Sequence, residues 1–444
     1  MAAGKELRKK IPRAVHGDFN PSPDRVDPIA ILEKQAKTRL PFLVPIRYAR
    51  MLESPFAFLR GGAAIMAADL APYKTTGIDV QTCGDMHVAN FGLYASVERN
   101  LIFGINDFDE TIPGPWEWDL KRLATSAVTS CRFLGGDVKL CEEAARSAVK
   151  SYRKKMKQYA YMGNLDLWYS SIKDTDILSM IPHYMRKNAL HILSKARTHT
   201  NIQVLENLTD IIDKKHKLRI NEPFMVRETK TMFGRTIIEA LDILMEDYSK
   251  SLANDRRYLL GHYKVADAVR KVVGVGSVGT RCWVVYLEGS YKNDPLFLQI
   301  KEAQPSVYAS DSISLYKNEG ERVVAGQRLL QGSADIFLGW AQLDGTDYYI
   351  RQLHDMKGGL AFDPHKLVLS NYHEYTALCG WALALAHAKS GDAAMIAGYA
   401  GNSNELDDAM VRFAFAYDKL TISDHKALVA AAESGRIKVS KETE

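Results

Sequence analysis

The sequence has little cysteine: five in 444 residues, at Cys83, Cys131, Cys141, Cys282 and Cys379. They are scattered, odd in number and form no CxxC pair, so neither a zinc cluster nor a disulfide framework is indicated, and a reducing cytoplasm fits best. No run reaches the ~18 uninterrupted apolar residues that a membrane span requires. Residues 1–13 are basic but lead into Ala14-Val15-His16-Gly17-Asp18, so a secretory signal is not expected. One sign of charge does not dominate either. Lys plus Arg number 58 against 53 Asp plus Glu, a balance of +5 that argues against wholesale nucleic-acid coating. No internal repeat or low-complexity tract is visible. With 46% hydrophobic and 25% charged residues, the chain reads as ordinary globular protein of roughly two to three domain-sized units.

Residues 1–27 are polar, carry Pro12, Pro21 and Pro23, and read as an arm that wraps or frays. Helical composition follows over residues 55–60 and 63–70, closed before Pro72. Gly77-Ile78-Asp79-Val80-Gln81-Thr82 alternates apolar and polar and predicts a strand. Over residues 118–251 apolar side chains recur at three- and four-residue spacing, as in Leu120, Leu123, Ala124, Ala127 and Val128, which predicts a helical lobe. Near Val265 the character changes. Residues 282–287, 296–300, 336–343 and 348–353 have strand composition, with a helix predicted over 318–331. From Tyr372 onward the chain is mainly helical to a charged tail.

The strand at 77–82 delivers Cys83-Gly84-Asp85-Met86-His87-Val88-Ala89-Asn90. After one apolar hairpin's worth of sequence comes Asn106-Asp107-Phe108-Asp109. Phosphoryl transfer asks of a protein chiefly positioning and charge neutralisation, and carboxylate and amide oxygens suit the hard magnesium ion. Asp85 can put an acceptor-only carboxylate beside an incoming hydroxyl while the Asn90 carbonyl meets the metal. The hairpin would return Asp107 to the same spot. A lone Gly-Asp turn is usually just a satisfied turn; the ordered set of Asp, Asn and Asp carries the functional reading.

Gly274-Val275-Gly276-Ser277-Val278-Gly279 is a GxGxxG string with two meanings. A dinucleotide fold needs a helix directly after the glycines, whereas residues 280–287 are β-branched and aromatic, which favours a phosphate-covering hairpin. Gly274, Gly276, Ser277 and Gly279 would then cover a nucleotide. The next strand ends in Lys301, placed to neutralise α and β phosphates. A downstream helix should hold that lysine with a carboxylate, Glu319 or Glu321, of which Glu321 lies deeper in the helical run. Arg351, Gln352 and Lys357 follow where a hinge would pass; they would touch nucleotide or acceptor, or serve only the lobe interface. Arg47, Arg50 and Arg60, before the Asp85 loop, are open to the same two readings, phosphate contact or packing.

Residues 84–90 resemble the catalytic loop of the aminoglycoside and choline phosphotransferases in the protein-kinase-like superfamily, and Asp107-Phe108-Asp109 resembles their metal-binding segment. The resemblance implies Asp85 as catalytic base, Asn90 and Asp107 as magnesium ligands, and Asp119 in Trp116-Glu117-Trp118-Asp119-Leu120 as the buried aspartate that braces the loop. Cys83 stands where those enzymes usually place a His. An ordinary kinase runs glycine loop, lysine, helix, hinge, catalytic loop, metal aspartate. Here the last two come first, which is the same circle cut elsewhere. Over nearly its full length the chain also resembles an uncharacterised bacterial family, domain of unknown function 2252, in runs such as Val44-Pro45-Ile46-Arg47-Tyr48, Trp116-Glu117-Trp118-Asp119-Leu120-Lys121-Arg122-Leu123 and Asp355-Met356-Lys357.

The expected fold is therefore α+β, a two-lobed, circularly permuted protein-kinase-like arrangement. Residues 1–76 would form an N-terminal arm and helices, 77–260 the catalytic loop and helical large lobe, 261–356 the β-rich ATP-binding lobe, and 357–444 the hinge and returning helices. The expected activity is magnesium- and ATP-dependent transfer of the γ-phosphate to a hydroxyl. A small-molecule acceptor is favoured because the chain reaches Trp118 nine residues after Asp109, too soon for a peptide-docking segment. Alternatives are AMP transfer on the same fold or a non-catalytic nucleotide-binding module. No nucleic-acid or membrane partner is expected.

Overall fold

The computed structural model describes residues 1–181, 183–198, 201–230, 234–291, 294–309, 316–353 and 369–440, and mixes helix and sheet in an α+β arrangement. Its organising element is the Trp116–Phe133 helix, in which fifteen residues are buried. Buried nearly all round, such a helix must be covered on all sides, and its polar and charged side chains must find partners there. The Val138–Tyr159 and Glu405–Glu433 helices pack on it, and Tyr372–Ser390 lies along Val138–Tyr159. Gly380 allows that last approach, since a Cβ there would collide with the Ala148 backbone. Leu120, Leu123, Val128, Val149, Leu383 and Met410 are all sealed in this core, each buried aliphatic side chain contributing about 1.5–3 kcal/mol.

The N-terminal arm wraps onto the C-terminal helices. The Ala2–Lys10 helix packs against Ala393–Ala400, with Gly4 and Gly398 letting the two backbones meet. His16 is buried against Trp116 and Tyr399. Tyr399 spends its hydroxyl proton on the Ile11 carbonyl at 2.9 Å, so His16 Nε2 is the donor in its 2.7 Å bond to Tyr399.

The second body is a six-stranded antiparallel sheet in the order Gly339–Leu343, Thr346–Gln352, Pro295–Glu302, Cys282–Glu288, Lys264–Lys271, Met225–Val226. Pro295–Glu302 is buried at every position, which explains its apolar start Pro295-Leu296-Phe297-Leu298. Asp344 and Gly345 both have positive φ, the requirement of a two-residue hairpin turn. The Glu319–Leu330 helix, capped by Asn318, packs on Thr346–Gln352 and also touches Tyr372–Ser390, so it joins the sheet to the helical core.

The helical reading of residues 118–251 fails over residues 209–226. Thr209–Ile212 and Lys215–Leu218 form a hairpin, and Met225–Val226 is the sheet's edge strand. The Ile237–Ser251 helix, started by a Thr236–Glu239 capping box, presents Ala240, Leu241, Leu244 and Tyr248 to Leu296, Ile300 and Ala341 of the sheet. Its apolar spacing records one buried face and is silent on which partner covers it. The Asp213-Lys214 turn takes positive φ without glycine, so no turn signal announced that hairpin. Of the predicted strand over 336–343, only Gly339–Leu343 is extended. Lys357 and the start of the 357–444 segment lie outside the described residues. All five cysteines are free and buried, and among the described residues no helix is long and apolar enough to cross a membrane.

Candidate functional site

The Asp79–Thr82 strand, paired with Ile112–Pro115, leads into a loop at Gly84 that turns with φ +81°. A Cβ at Gly84 would lie 2.5 Å from the Glu110 carbonyl oxygen, so glycine is required twice over. Beneath the loop, the first turn of the Trp116–Phe133 helix offers Asp119, which is fully buried. Its carboxylate accepts the Cys83 N–H at 2.7 Å and the Gly84 N–H at 3.0 Å. His387 from the Tyr372–Ser390 helix reaches the same carboxylate at 3.1 Å, and its other ring nitrogen meets the Tyr152 hydroxyl at 2.9 Å. His387 thus ties Asp119 to Tyr152.

One turn along the same helix face, Arg122 binds Asp85 Oδ1 through Nε at 2.7 Å and the Leu59 carbonyl at 2.8 Å. Asp85 is about a fifth exposed, at 21%. Burial pushes its carboxyl above the usual range, with the Arg122 charge opposing. His87 Nε2 stands 3.8 Å from Asp85 Oδ2. The Asn90 amide nitrogen donates to the Asp85 carbonyl at 2.6 Å, and the Asn90 carbonyl accepts the Asn106 N–H at 2.8 Å. That second bond ties the loop to the segment carrying Asp107. The hairpin between them pairs Phe91–Ala95 with Leu101–Ile105, Phe91 opposite Ile105.

Lys301 arrives at the end of the Pro295–Glu302 strand, opposite Cys282. Its side chain is 3% exposed, hydrogen-bonds Asp109 Oδ2 and lies 4.0 Å from Asp107 Oδ1. Burial opposes the ammonium, yet Asp107 and Asp109 outweigh it and hold the pKa well above the usual lysine range. Asp109 also accepts from the Tyr349 hydroxyl at 2.6 Å. Burial and the neighbouring Asp109 charge raise Asp107.

The glycine segment forms a long turn over residues 272–281 between Lys264–Lys271 and Cys282–Glu288. Gly276 faces the loop: a Cβ there would be 3.8 Å from Asp85 Oδ2 and 3.2 Å from the Arg60 carbonyl. Gly274, Gly276 and Ser277 line one cavity with Asp85, Asn90 and Asp107.

Three expectations need correction. Neither Glu319 nor Glu321 reaches Lys301: Glu319 pairs with Arg322, Glu321 sits in the capped first turn under Asn318, and the lysine is held by Asp109. The helix instead approaches through Arg322, which donates to the Asp109, Thr111 and Gln304 carbonyls. Gly279, at φ +98°, packs on the Arg39 side chain behind the cavity wall. Arg351 is turned away from the cavity, bonded to the Asn106 carbonyl at 2.9 Å and to Gln299 at 3.1 Å; it supports the Asp107 segment from the strand side.

Residues 39–431 match the family model described as "Uncharacterized protein conserved in bacteria (DUF2252)". The chain belongs to this family. Comparison with curated proteins and with solved structures finds no match. The DUF2252 span opens at Arg39 and takes in every residue of the cavity except Gln35.

Within that span, Arg122, Asp109 and Glu110 were missed as site residues. Arg122 carried a signal, its i+3 spacing from Asp119 in a predicted helix. Asp109 was visible in the Asp-Phe-Asp run, but its pairing with Lys301 depends on a sheet built from distant sequence. Glu110, raised by burial, accepts the Val307 N–H at 2.7 Å, a contact no pattern encodes. A magnesium ion fits the donor set in part. Asp107 is 37% exposed, and Asn90 spends its nitrogen on Asp85, leaving its oxygen for a ligand. Among the described residues no cluster of three His, Cys, Asp or Glu side chains could hold a metal.

Proposed function

We propose that the cavity is the site of a magnesium-dependent phosphotransferase that moves the ATP γ-phosphate to a hydroxyl of a small acceptor, on a permuted protein-kinase-like fold. The observation that carries the reading is the meeting of parts far apart in sequence. Gly276 lies over Asp85, and Lys301 lies beside Asp107 and Asp109. The sheet has a glycine turn between two strands, a lysine on the next and a helix after it, the sequence of parts that a nucleotide-binding lobe of this type needs.

In this reading Asp85 accepts the acceptor's hydroxyl proton. Its raised pKa makes it a better base than an exposed aspartate, while Arg122 fixes its orientation. Asn90 and Asp107 would hold magnesium, which supplies charge neutralisation at the phosphates. Gly274, Gly276 and Ser277 would cover those phosphates, and Lys301 would exchange part of its bond to Asp109 for them.

Thermal unfolding with ATP and magnesium tests this directly. A ligand at 100 times its dissociation constant stabilises by about 2.7 kcal/mol, so a clear rise in Tm is expected with ATP plus magnesium and a smaller one with either alone. Turnover should release ADP; release of pyrophosphate would assign AMP transfer instead. No shift with any nucleotide would sink the proposal.

A further inference from the structure

Most charged groups around the cavity already have partners. Arg122 is paired with Asp85, Arg281 with Glu302, and Lys301 with Asp109. Three arginines from the N-terminal part are different. Arg47 is 1% exposed and gives NH2 to Gln35 Oε1 at 2.9 Å and to the Gly61 carbonyl at 2.8 Å, yet its Nε and NH1 have no partner. Arg39 donates NH1 to the Val278 carbonyl and leaves Nε unpartnered. Arg60 lies 5.8 Å above the Phe56 ring with Nε unpartnered. All three line the cavity, as does His87, whose buried Nδ1 is also unpartnered. Among the described residues none of the three arginines forms an ion pair.

A buried donor without an acceptor is costly, and a buried charge more so. Burial and the like charge of Arg39 both act against the Arg47 cation. Three such groups around one cavity make physical sense when an anion completes them, and guanidinium forks match the oxygens of phosphate or carboxylate. The cavity volume is about 100 Å³, on a measure by which one water needs roughly 10–15 Å³. There is room for an oxyanion.

We infer that Arg39, Arg47 and Arg60 form a subsite for a phosphate-like oxyanion, and that this group is carried by the acceptor whose hydroxyl meets Asp85. The assignment to the acceptor rests on the phosphotransferase reading; the anion subsite itself does not. Lys301 is engaged by Asp107, Asp109 and Tyr349, and none of the three arginines is among its neighbours. The Arg60 backbone carbonyl and the Asp85 carboxylate both abut Gly276, Asp85 acts on the Arg60 cation, and Arg47 is bonded to Gly61 and Gln35 on the N-terminal side. On this proposal an anion at the arginines and a nucleotide phosphate at Lys301 are two different groups.

The test is thermal unfolding of the full chain in inorganic phosphate, against sodium chloride at equal ionic strength, with and without a saturating non-hydrolysable ATP analogue and magnesium. Phosphate should raise Tm beyond the chloride control, and its half-effect concentration should change by less than about twofold when the analogue is present. Arg47→Met should weaken the phosphate response about tenfold or more, the size of a lost charge-assisted contact of ~1.4 kcal/mol, while the response to nucleotide persists. Should Arg47→Met not fold, the less buried Arg60→Met carries the same expectation. A phosphate effect no larger than that of chloride, or one unchanged in both variants, overturns the subsite. Displacement of phosphate by the analogue overturns its assignment to the acceptor. A phosphate response that needs Arg47, with no nucleotide response at all, keeps the subsite and removes the phosphotransferase reading.

Discussion

Replacing Lys301 with methionine removes one charge from the middle of the site and almost no volume. Met fills much of the space of the lysine stem, so the cavity cost is small, and electrostatics decides the outcome. Removing one partner of a buried pair costs about 3–5 kcal/mol, because the other charge is left without compensation. Two features place Lys301→Met at the low end. Asp109 keeps its bond from the Tyr349 hydroxyl at 2.6 Å, and Asp107, at 37% exposure, is open to water. A loss of about 3 kcal/mol is therefore expected. The double variant Lys301→Met/Asp109→Asn should be more stable than the sum of its single changes by about 1–3 kcal/mol, since it no longer strands the Asp109 carboxylate. If Asp107 also holds a divalent ion, magnesium at ten times its dissociation constant should return about 1.4 kcal/mol to the single variant. Equilibrium unfolding in urea, with magnesium or with a chelator, measures all three quantities. A deficit under about 1 kcal/mol, or strict additivity in the double variant, would refute the coupling of Lys301 to the Asp107 and Asp109 carboxylates.

Asp85→Asn should leave nucleotide binding intact and lower turnover by ~10²–10⁴, as loss of a positioned base does; full turnover would exclude Asp85 from the chemistry. Asp119→Asn keeps shape but can accept from only one of the Cys83 and Gly84 N–H groups. It should cost on the order of 2–3 kcal/mol, read in the same urea assay, and a change under about 0.5 kcal/mol would mean the loop is held by something else. His16 titrates in acid: burial, with Lys121 adding, pushes its pKa down to about 3. The unfolded chain binds the proton near pH 6.5, so stability is present above that value and is lost as pH falls toward 3, on the order of 4 kcal/mol in all. His16→Gln should flatten this acid limb of the unfolding curve, and an unchanged limb would place the acid sensitivity elsewhere.

Local chemistry was legible without coordinates. The Gly84 turn, the 91–95 and 101–105 hairpin, the glycine turn followed by strands, and Lys301 at a strand end all rest on contacts within a few residues or on composition, and the structure has each element in place. The expected partner of Lys301, a carboxylate on the next helix, does not reach it, because the lysine's neighbour is decided by which loop the sheet faces. Asp109 lies 192 positions away. The same holds for residues 201–251, whose helical spacing was correct for Ile237–Ser251 but whose partner, the sheet, was not encoded in it.

What this sequence determined by itself is the set of short-range pieces: which residues turn, which extend, and which carry acceptor oxygens or cationic groups at one spot. Only the tertiary structure decided who meets whom. It brought His387 to Asp119, Arg322 to the carbonyls beside Asp109, and the unpartnered donors of Arg39, Arg47 and Arg60 into the same cavity as Asp85. The physical reason is that long-range pairing is settled by burial and by satisfaction of buried polar groups across the whole molecule, and neither quantity is a property of any window of the chain.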